Sequence, residues 1–269
     1  LWQILNEDQE ALNLTENTQP IMLAAGYATY KVLSEETSLT PLSMAGHSLG
    51  EYTALVASNS INFFDAIGLV RKRGELMQSA VPSGTGSMAA ILGLEDAIII
   101  EICHKASNKG VVEAVNFNSP GQVVIAGEKN AVAHACELLK EAGAKRALIL
   151  PVSVPSHCSL MKEAAAKFKT FIESVDFKTS NAKVIHNVDA DYAGDTDAIK
   201  TKLVEQLYMP VLWTDSVIKM KDSGVERLIE VGPGKVLTGL TRRIDKSLSA
   251  SAIIDVSSLK STIEEISNA

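Results

Sequence analysis

The sequence predicts an α/β protein in which a mainly parallel sheet domain is interrupted by a smaller lobe of β-α-β-β-α-β order. Three observations carry this. Strand-like and helix-like segments alternate along most of the chain, as a mainly parallel sheet requires. Between Pro82 and Pro151 the order changes, and two strand-like runs follow one another directly across N-S-P-G. Finally, 269 residues with 46% hydrophobic and 21% charged content can bury one large core, or a core and a smaller lobe beside it.

The elements follow in order. Helical spacing of apolar residues runs through P-I-M-L-A-A-G-Y-A-T-Y-K-V-L (20–33), with Pro20 suited to a first turn. An extended P-L-S-M-A leads to the corner G-H-S-L-G (46–50), and a short helix, E-Y-T-A-L-V-A-S, leaves it. Asn62, with Asp65 three residues on, is spaced to cap a helix over 63–80. S-M-A-A-I-L is then expected as a strand and E-D-A-I-I-I-E-I-C-H-K-A as a helix. V-V-E-A-V-N-F and Q-V-V-I-A-G follow as strands joined by a turn in which Pro120 and Gly121 fit type II geometry. A helix over 131–142 and the strand R-A-L-I-L-P-V complete the split βαβ, or ferredoxin-like, order. The lobe is therefore assigned to 82–151 and the larger domain to 1–81 and 152–269. In the latter, a helix over 158–175, the strand A-K-V-I-H-N-V, two helices parted at Pro210, the strand V-E-R-L-I-E-V, and a last helix and strand resume the alternation.

Composition excludes several classes. The longest apolar runs fall far short of the roughly 20 residues that span a bilayer, so no membrane association is expected. Cys103, Cys136 and Cys158 are odd in number and lack C-x-x-C spacing, which argues against disulfides and zinc, for a cytoplasmic location, and for no metal. A formal net charge of −7 argues against nucleic acid, and leaves any anionic ligand dependent on a local basic pocket. The first methionine is Met22.

A serine set between glycines where a strand hands over to a helix is the signature of a nucleophile elbow. Gly46 and Gly50 are expected to permit the close approach of backbone and helix around Ser48, and the amide of Leu49 is expected to face the oxyanion of an acyl transfer. Of five histidines, His47 adjoins Ser48 and is assigned to the pocket lining, while His104 and His134 lie in helices of the lobe. His157, after a strand and opening a helix, is the preferred base, because strand carboxyl ends carry the sites of open α/β sheets and a helix N-terminus disfavours imidazolium. His186, on a strand, is the rival. Cys158 is set aside as packing. No acid is nominated by spacing, and a serine-histidine dyad with a main-chain carbonyl orienting the ring fits equally.

Arg73 is the second informative residue. At helical spacing its neighbours are Ala66, Leu69, Val70, Leu76, Met77 and Ala80, all apolar. A guanidinium there requires either an internal acid or an anionic substrate.

Five stretches, G-H-S-L-G-E-Y-T-A-L, V-N-F-N-S-P-G-Q-V-V-I-A-G, V-S-V-P-S-H-C, E-Q-L-Y-M-P-V-L-W-T and E-V-G-P-G-K-V-L-T-G-L, together resemble the bacterial malonyl-CoA:acyl carrier protein transacylases, over a span from near Leu1 to about Ile244. The resemblance implies a hydrolase-like α/β domain with an inserted ferredoxin-like lobe. It implies Ser48 as nucleophile, His157 as base, the main-chain carbonyl of Gln206 as its support, and Leu49 as an oxyanion donor. Arg73 becomes the clamp on the malonyl carboxylate, with His47, Met77, Asn116 and Asn118 around the substrate. Malonyl-CoA and acyl carrier protein are the implied partners, with no cofactor, and a monomer is expected. The carrier protein is typically acidic, and T-R-R-I-D-K (Arg242, Arg243, Lys246) and A-K-R (Lys145, Arg146) are the candidate docking patches. The family usually opens with a strand and a glycine- and glutamine-rich loop whose glutamine lines the site, and Leu1 falls downstream of that loop. A serine esterase or thioesterase, and an inactive truncated relative, are the alternative readings.

Overall fold

The structure is a computed structural model and describes residues 2–152, 154–180 and 182–268. Leu1, Ser153, Asn181 and Ala269, which fall within the predicted spans 1–81 and 152–269, lie outside the described residues, as does the Ser153 position of V-S-V-P-S-H-C. Two short helices, α1 (Trp2–Glu7) and α2 (Gln9–Leu12), precede the long α3 (Thr15–Glu36). Then come β1 (Ser43–Ala45), α4 (Leu49–Ala57), α5 (Phe63–Gln78), β2 (Gly86–Leu92), α6 (Asp96–Ala106), β3 (Val112–Ser119), β4 (Gln122–Glu128), α7 (Lys129–Glu141) and β5 (Arg146–Ile149). The remainder is α8 (Lys162–Ile172), β6 (Lys183–Ile185), α9 (Thr196–Glu205), α10 (Trp213–Asp222), β7 (Arg227–Val231), α11 (Val236–Ile244), β8 (Ser249–Ile253) and α12 (Val256–Ser267).

The parallel part consists of two pairs, β1 with β6 and β7 with β8, which are not hydrogen-bonded to each other among the described residues. Helices α3, α4, α5, α8 and α9 cover the first pair and bury Leu23, Tyr52, Leu55, Leu69, Val70, Phe168, Ile172 and Leu203 in one core. Removing each such large side chain from water contributes about 1.5–3 kcal/mol. A second core joins Ile185, Val211, Trp213, Val217 and Leu240.

The lobe is a four-stranded antiparallel sheet in the order β3-β4-β2-β5, covered by α6 and α7. Ile91, Ile99, Val123, Ile125, Val132 and Leu139 form its own core. Gly121 turns the β3–β4 hairpin at φ 71°, the left-handed conformation that a type II turn demands of its third residue. Beyond the bulge after Ala114, β3 stays paired with β4 through Ser119 and also bonds to the larger domain: Phe117 N–H donates to the Val211 carbonyl at 3.0 Å and Val211 N–H to that of Val115 at 2.8 Å. This seam sets Asn116 opposite Val211 and brings Asn118 to His47 in the serine corner.

Some elements differ from their predicted extents. Helix α3 starts at Thr15, so Pro20 lies inside it rather than in its first turn. The segment after His157 begins as a single 3-10 turn (Ser159–Met161) before α8, and β6 ends at Ile185, leaving His186 in the loop beyond it. Asn62 does cap α5, its Oδ1 accepting from Asp65 N–H at 2.9 Å.

Candidate active site

Between β1 and α4 the chain turns within three residues. A Cβ on Gly46 would lie 1.9 Å from the Gly50 carbonyl carbon and 2.5 Å from Glu51 N, so only glycine fits. The expected need for glycine at Gly50 is corrected: a Cβ there would have nothing within 4 Å, and it is the Gly50 backbone, not its missing side chain, that crowds Gly46. Ser48 takes φ 51° and ψ −106°, outside the regions side-chain-bearing residues prefer, at a cost of about 1–3 kcal/mol. Leu49 opens α4, so its N–H is one of the helix-start amides without an intrahelical acceptor, at the positive end of the helix dipole.

His157 also has a positive φ, 66°. Its Nε2 is 2.8 Å from Ser48 Oγ and its Nδ1 is 2.7 Å from the Gln206 carbonyl oxygen. Because a carbonyl only accepts, the proton sits on Nδ1, leaving Nε2 to accept the serine proton. Burial, and then the Arg73 charge, pull its pKa down to about 3, so the ring is neutral. This corrects the cause given by the sequence: His157 does not open an α-helix, and it is the dry, cation-bearing surroundings that exclude the imidazolium. His186 is elsewhere, with Nδ1 2.7 Å from Glu51 Oε1. Cys158 is fully buried, with a thiol pushed up to about 12 by burial.

Arg73 projects from α5 and is 1% exposed. Its Nη2 donates to Ser48 Oγ at 3.0 Å and to Gln206 Oε1 at 2.9 Å, and its Nη1 donates to Gln19 Oε1 at 2.8 Å. The Tyr52 ring lies 5.4 Å from the guanidinium carbon. Burial lowers the Arg73 pKa, yet an arginine keeps its proton in proteins, so this is a buried cation. Among the described residues no carboxylate forms an ion pair with it.

The other predicted residues gather around these three. His47 Nε2 is 2.8 Å from Asn118 Oδ1, and its ring packs 5.8 Å from that of Trp213; burial lowers its pKa. Asn116 is buried beside the seam, and its Oδ1 has no hydrogen-bond partner among the described residues. Met77 is buried, with Sδ 3.7 Å from Gln19 Nε2, and so lines the support of Arg73. Sequence reasoning missed Gln19, Glu51 and Asn187. Asn187 donates to the Gly46 carbonyl at 2.8 Å and accepts from Ser48 N–H at 2.7 Å. The available signal was Glu51, the one charged residue on a short helix that is otherwise uncharged.

The chain matches the acyl transferase domain family over residues 1–262. It is 53% identical over 265 residues to the malonyl CoA-acyl carrier protein transacylase of Escherichia coli K12, covering 98% of this chain and 86% of that protein. An acyl carrier protein S-malonyltransferase from Vibrio cholerae superposes with a TM-score of 0.94 at 53% identity, over 97% of this chain and 86% of that one. A malonyl-transacylase solved in complex with its type II PKS acyl-carrier protein superposes at 0.96 with 50% identity, over 98% and 86% respectively. With a family match across nearly its whole length, and a serine elbow, a neutral histidine and a buried arginine meeting at one hydroxyl, the chain belongs to the acyl transferase domain family.

Proposed function

We propose that this protein transfers the malonyl group of malonyl-CoA to the phosphopantetheine thiol of acyl carrier protein, through a malonyl ester on Ser48, as a step of fatty-acid biosynthesis. One observation carries the reading: a buried guanidinium without a carboxylate partner sits within hydrogen-bond reach of the nucleophile. A buried cation that no carboxylate touches is costly, Glu51 reaching Arg73 only through Gln206, and a short diacid thioester attacked at Ser48 brings an anion to it. Names of relatives 40% to 53% identical support the same substrate and acceptor.

The steps balance within the protein's own groups. Ser48 Oγ attacks the thioester carbonyl while His157 Nε2 takes its proton, and the Leu49 amide, at the start of α4, faces the developing oxyanion. The Gln206 carbonyl, 2.7 Å from Nδ1, stabilises the imidazolium that forms. Collapse expels the CoA sulfur, which receives the proton from Nε2 and leaves malonyl-Ser48. The thiol of the carrier protein then attacks the ester, its proton passing by His157 to Ser48. Every proton is carried by Ser48, His157 or a thiol, so the cycle calls for no cofactor. His47, Met77, Asn116 and Asn118 line the substrate side. Arg242, Arg243 and Lys246, or Lys145 and Arg146, all at the surface, provide the positive face for an acidic carrier protein. Three buried unpaired cysteines fit a cytoplasmic enzyme.

No helix among the described residues is long and apolar enough to cross a membrane. The test follows labelled malonyl from malonyl-CoA to holo-acyl carrier protein or to water. Transfer exceeding hydrolysis by orders of magnitude is expected. Hydrolysis as the dominant fate would make the protein a thioesterase instead.

A further inference from the structure

We infer that Glu51, three residues after the nucleophile, is the positioning residue for both members of the Ser48–His157 pair. Its carboxylate is fully buried, touches no Lys or Arg among the described residues, and touches neither reacting atom. Such a group is retained only if its acceptor capacity is used. Oε1 faces His186 Nδ1 at 2.7 Å, while Oε2 accepts from Asn187 N–H at 2.9 Å and from Gln206 Nε2 at 2.7 Å.

The last two contacts lead to the chemistry. Gln206, held through its side-chain amide, turns its main-chain carbonyl to His157 Nδ1 and its Oε1 to Arg73. The same Nε2 also reaches the Ser48 carbonyl at 3.0 Å. Asn187, held through its main-chain amide, straddles the strained turn, with its side chain bonded to the Gly46 carbonyl and to Ser48 N–H. The two sides of Ser48 and the far side of His157 thus end on one carboxylate, and His186, 1% exposed, fixes that carboxylate in turn. No acid touches His157 among the described residues. The carboxylate expected of a triad stands one residue further out and acts on geometry.

This rests on the reading of Ser48 as nucleophile, and the test separates the two. The rate at which a fluorophosphonate phosphonylates Ser48, with fluoride leaving and the serine proton taken by His157, reads the pair without any acyl donor or carrier protein. Malonyl transfer by the unaltered protein reads the function. Glu51→Asp keeps the charge but withdraws the carboxylate by one methylene, Glu51→Ala removes it, and Glu51→Gln retains every bond if His186 takes its other tautomer. Displacement of this order costs about 10²-fold, so Glu51→Asp and folded Glu51→Ala should react more than about tenfold slower. Glu51→Gln should stay within about tenfold of the unaltered protein. If Glu51→Ala does not fold, the other two variants decide. The inference is overturned if Glu51→Asp reacts within that limit, or if Glu51→Gln falls outside it or fails to fold. If Ser48 follows this pattern while malonyl transfer is absent from the unaltered protein, the proposed substrate is wrong and the positioning role stands.

Discussion

Replacing Arg73 by alanine should change which acyl group the protein transfers as well as how fast it reacts. The guanidinium is 1% exposed and donates three charge-assisted hydrogen bonds to neutral acceptors, on Gln19, Gln206 and Ser48, at 2.8 to 3.0 Å. Losing the bonds to Ser48 and Gln206 costs about 3–6 kcal/mol whichever acyl group is present, at about 1.5–3 kcal/mol for each bond from a charged group. A malonyl carboxylate loses in addition its buried, charge-assisted partner, worth about 2–5 kcal/mol on truncation. At about 1.4 kcal/mol per tenfold, that second loss alone is about 30- to 5,000-fold and applies only to malonyl. Acetyl loses nothing by it, since in the unaltered protein acetyl leaves the guanidinium unpaired. The assay is kcat/KM for malonyl-CoA and acetyl-CoA with holo-acyl carrier protein, for the unaltered protein, Arg73→Ala and Arg73→Lys. The malonyl-to-acetyl ratio should fall at least about 30-fold in Arg73→Ala, and Arg73→Lys should recover only part of it, because an ammonium lacks the fork that meets both carboxylate oxygens. An unchanged ratio with equal losses for both substrates would refute the clamp.

Three further outcomes follow from the same geometry. Gly46→Ala should not fold, because its Cβ would meet the Gly50 backbone at 1.9 Å, whereas Gly50→Ala, with open space at its Cβ, should gain about 0.5–1 kcal/mol from helix propensity; denaturant unfolding of both checks this, and equal effects would contradict it. With His157 held down to about 3 in the folded protein against an ordinary 6.5, the unfolded chain binds the extra proton between those values; the contribution to stability is fully present above pH 6.5 and is lost as pH falls towards 3, and kcat/KM should stay flat from pH 8 to about 5, an inflection near 6.5 counting against a buried base. Charge reversal at Arg242 and Arg243 should raise the KM for carrier protein by about tenfold at low salt while leaving Ser48 acylation by malonyl-CoA unaltered, and no change would move the docking surface to Lys145 and Arg146.

What the sequence made legible was local. Gly46 beside Ser48, the run of apolar neighbours at helical spacing around Arg73, and Asn62 three residues before Asp65 each express a constraint that acts within two turns of chain. What it hid was assembled from a distance. Glu51 meets His186 and Gln206 across 135 and 155 residues, and Asn187 meets Ser48 across 139, so no spacing announces them. The preference for His157 over His186 rests on the carboxyl end of a strand, a feature that states where a site lies but not what surrounds it. Hence sequence reasoning assigns the neutral imidazole to a helix terminus, when burial and Arg73 cause it. Gly50 misleads for the opposite reason, since a glycine can be present for its neighbour's sake. The parallel strands are legible as α/β alternation, but their division into β1–β6 and β7–β8 depends on pairing that periodicity does not encode.

The account stands on Ser48 as the carrier of the acyl group, and mass spectrometry after mixing the protein with malonyl-CoA alone tests this directly. One malonyl group should appear on the peptide that contains Ser48 and vanish when holo-acyl carrier protein is added, with malonyl-carrier protein formed in equal amount. Turnover with Ser48 never modified, or a malonyl group found on another residue, would contradict it.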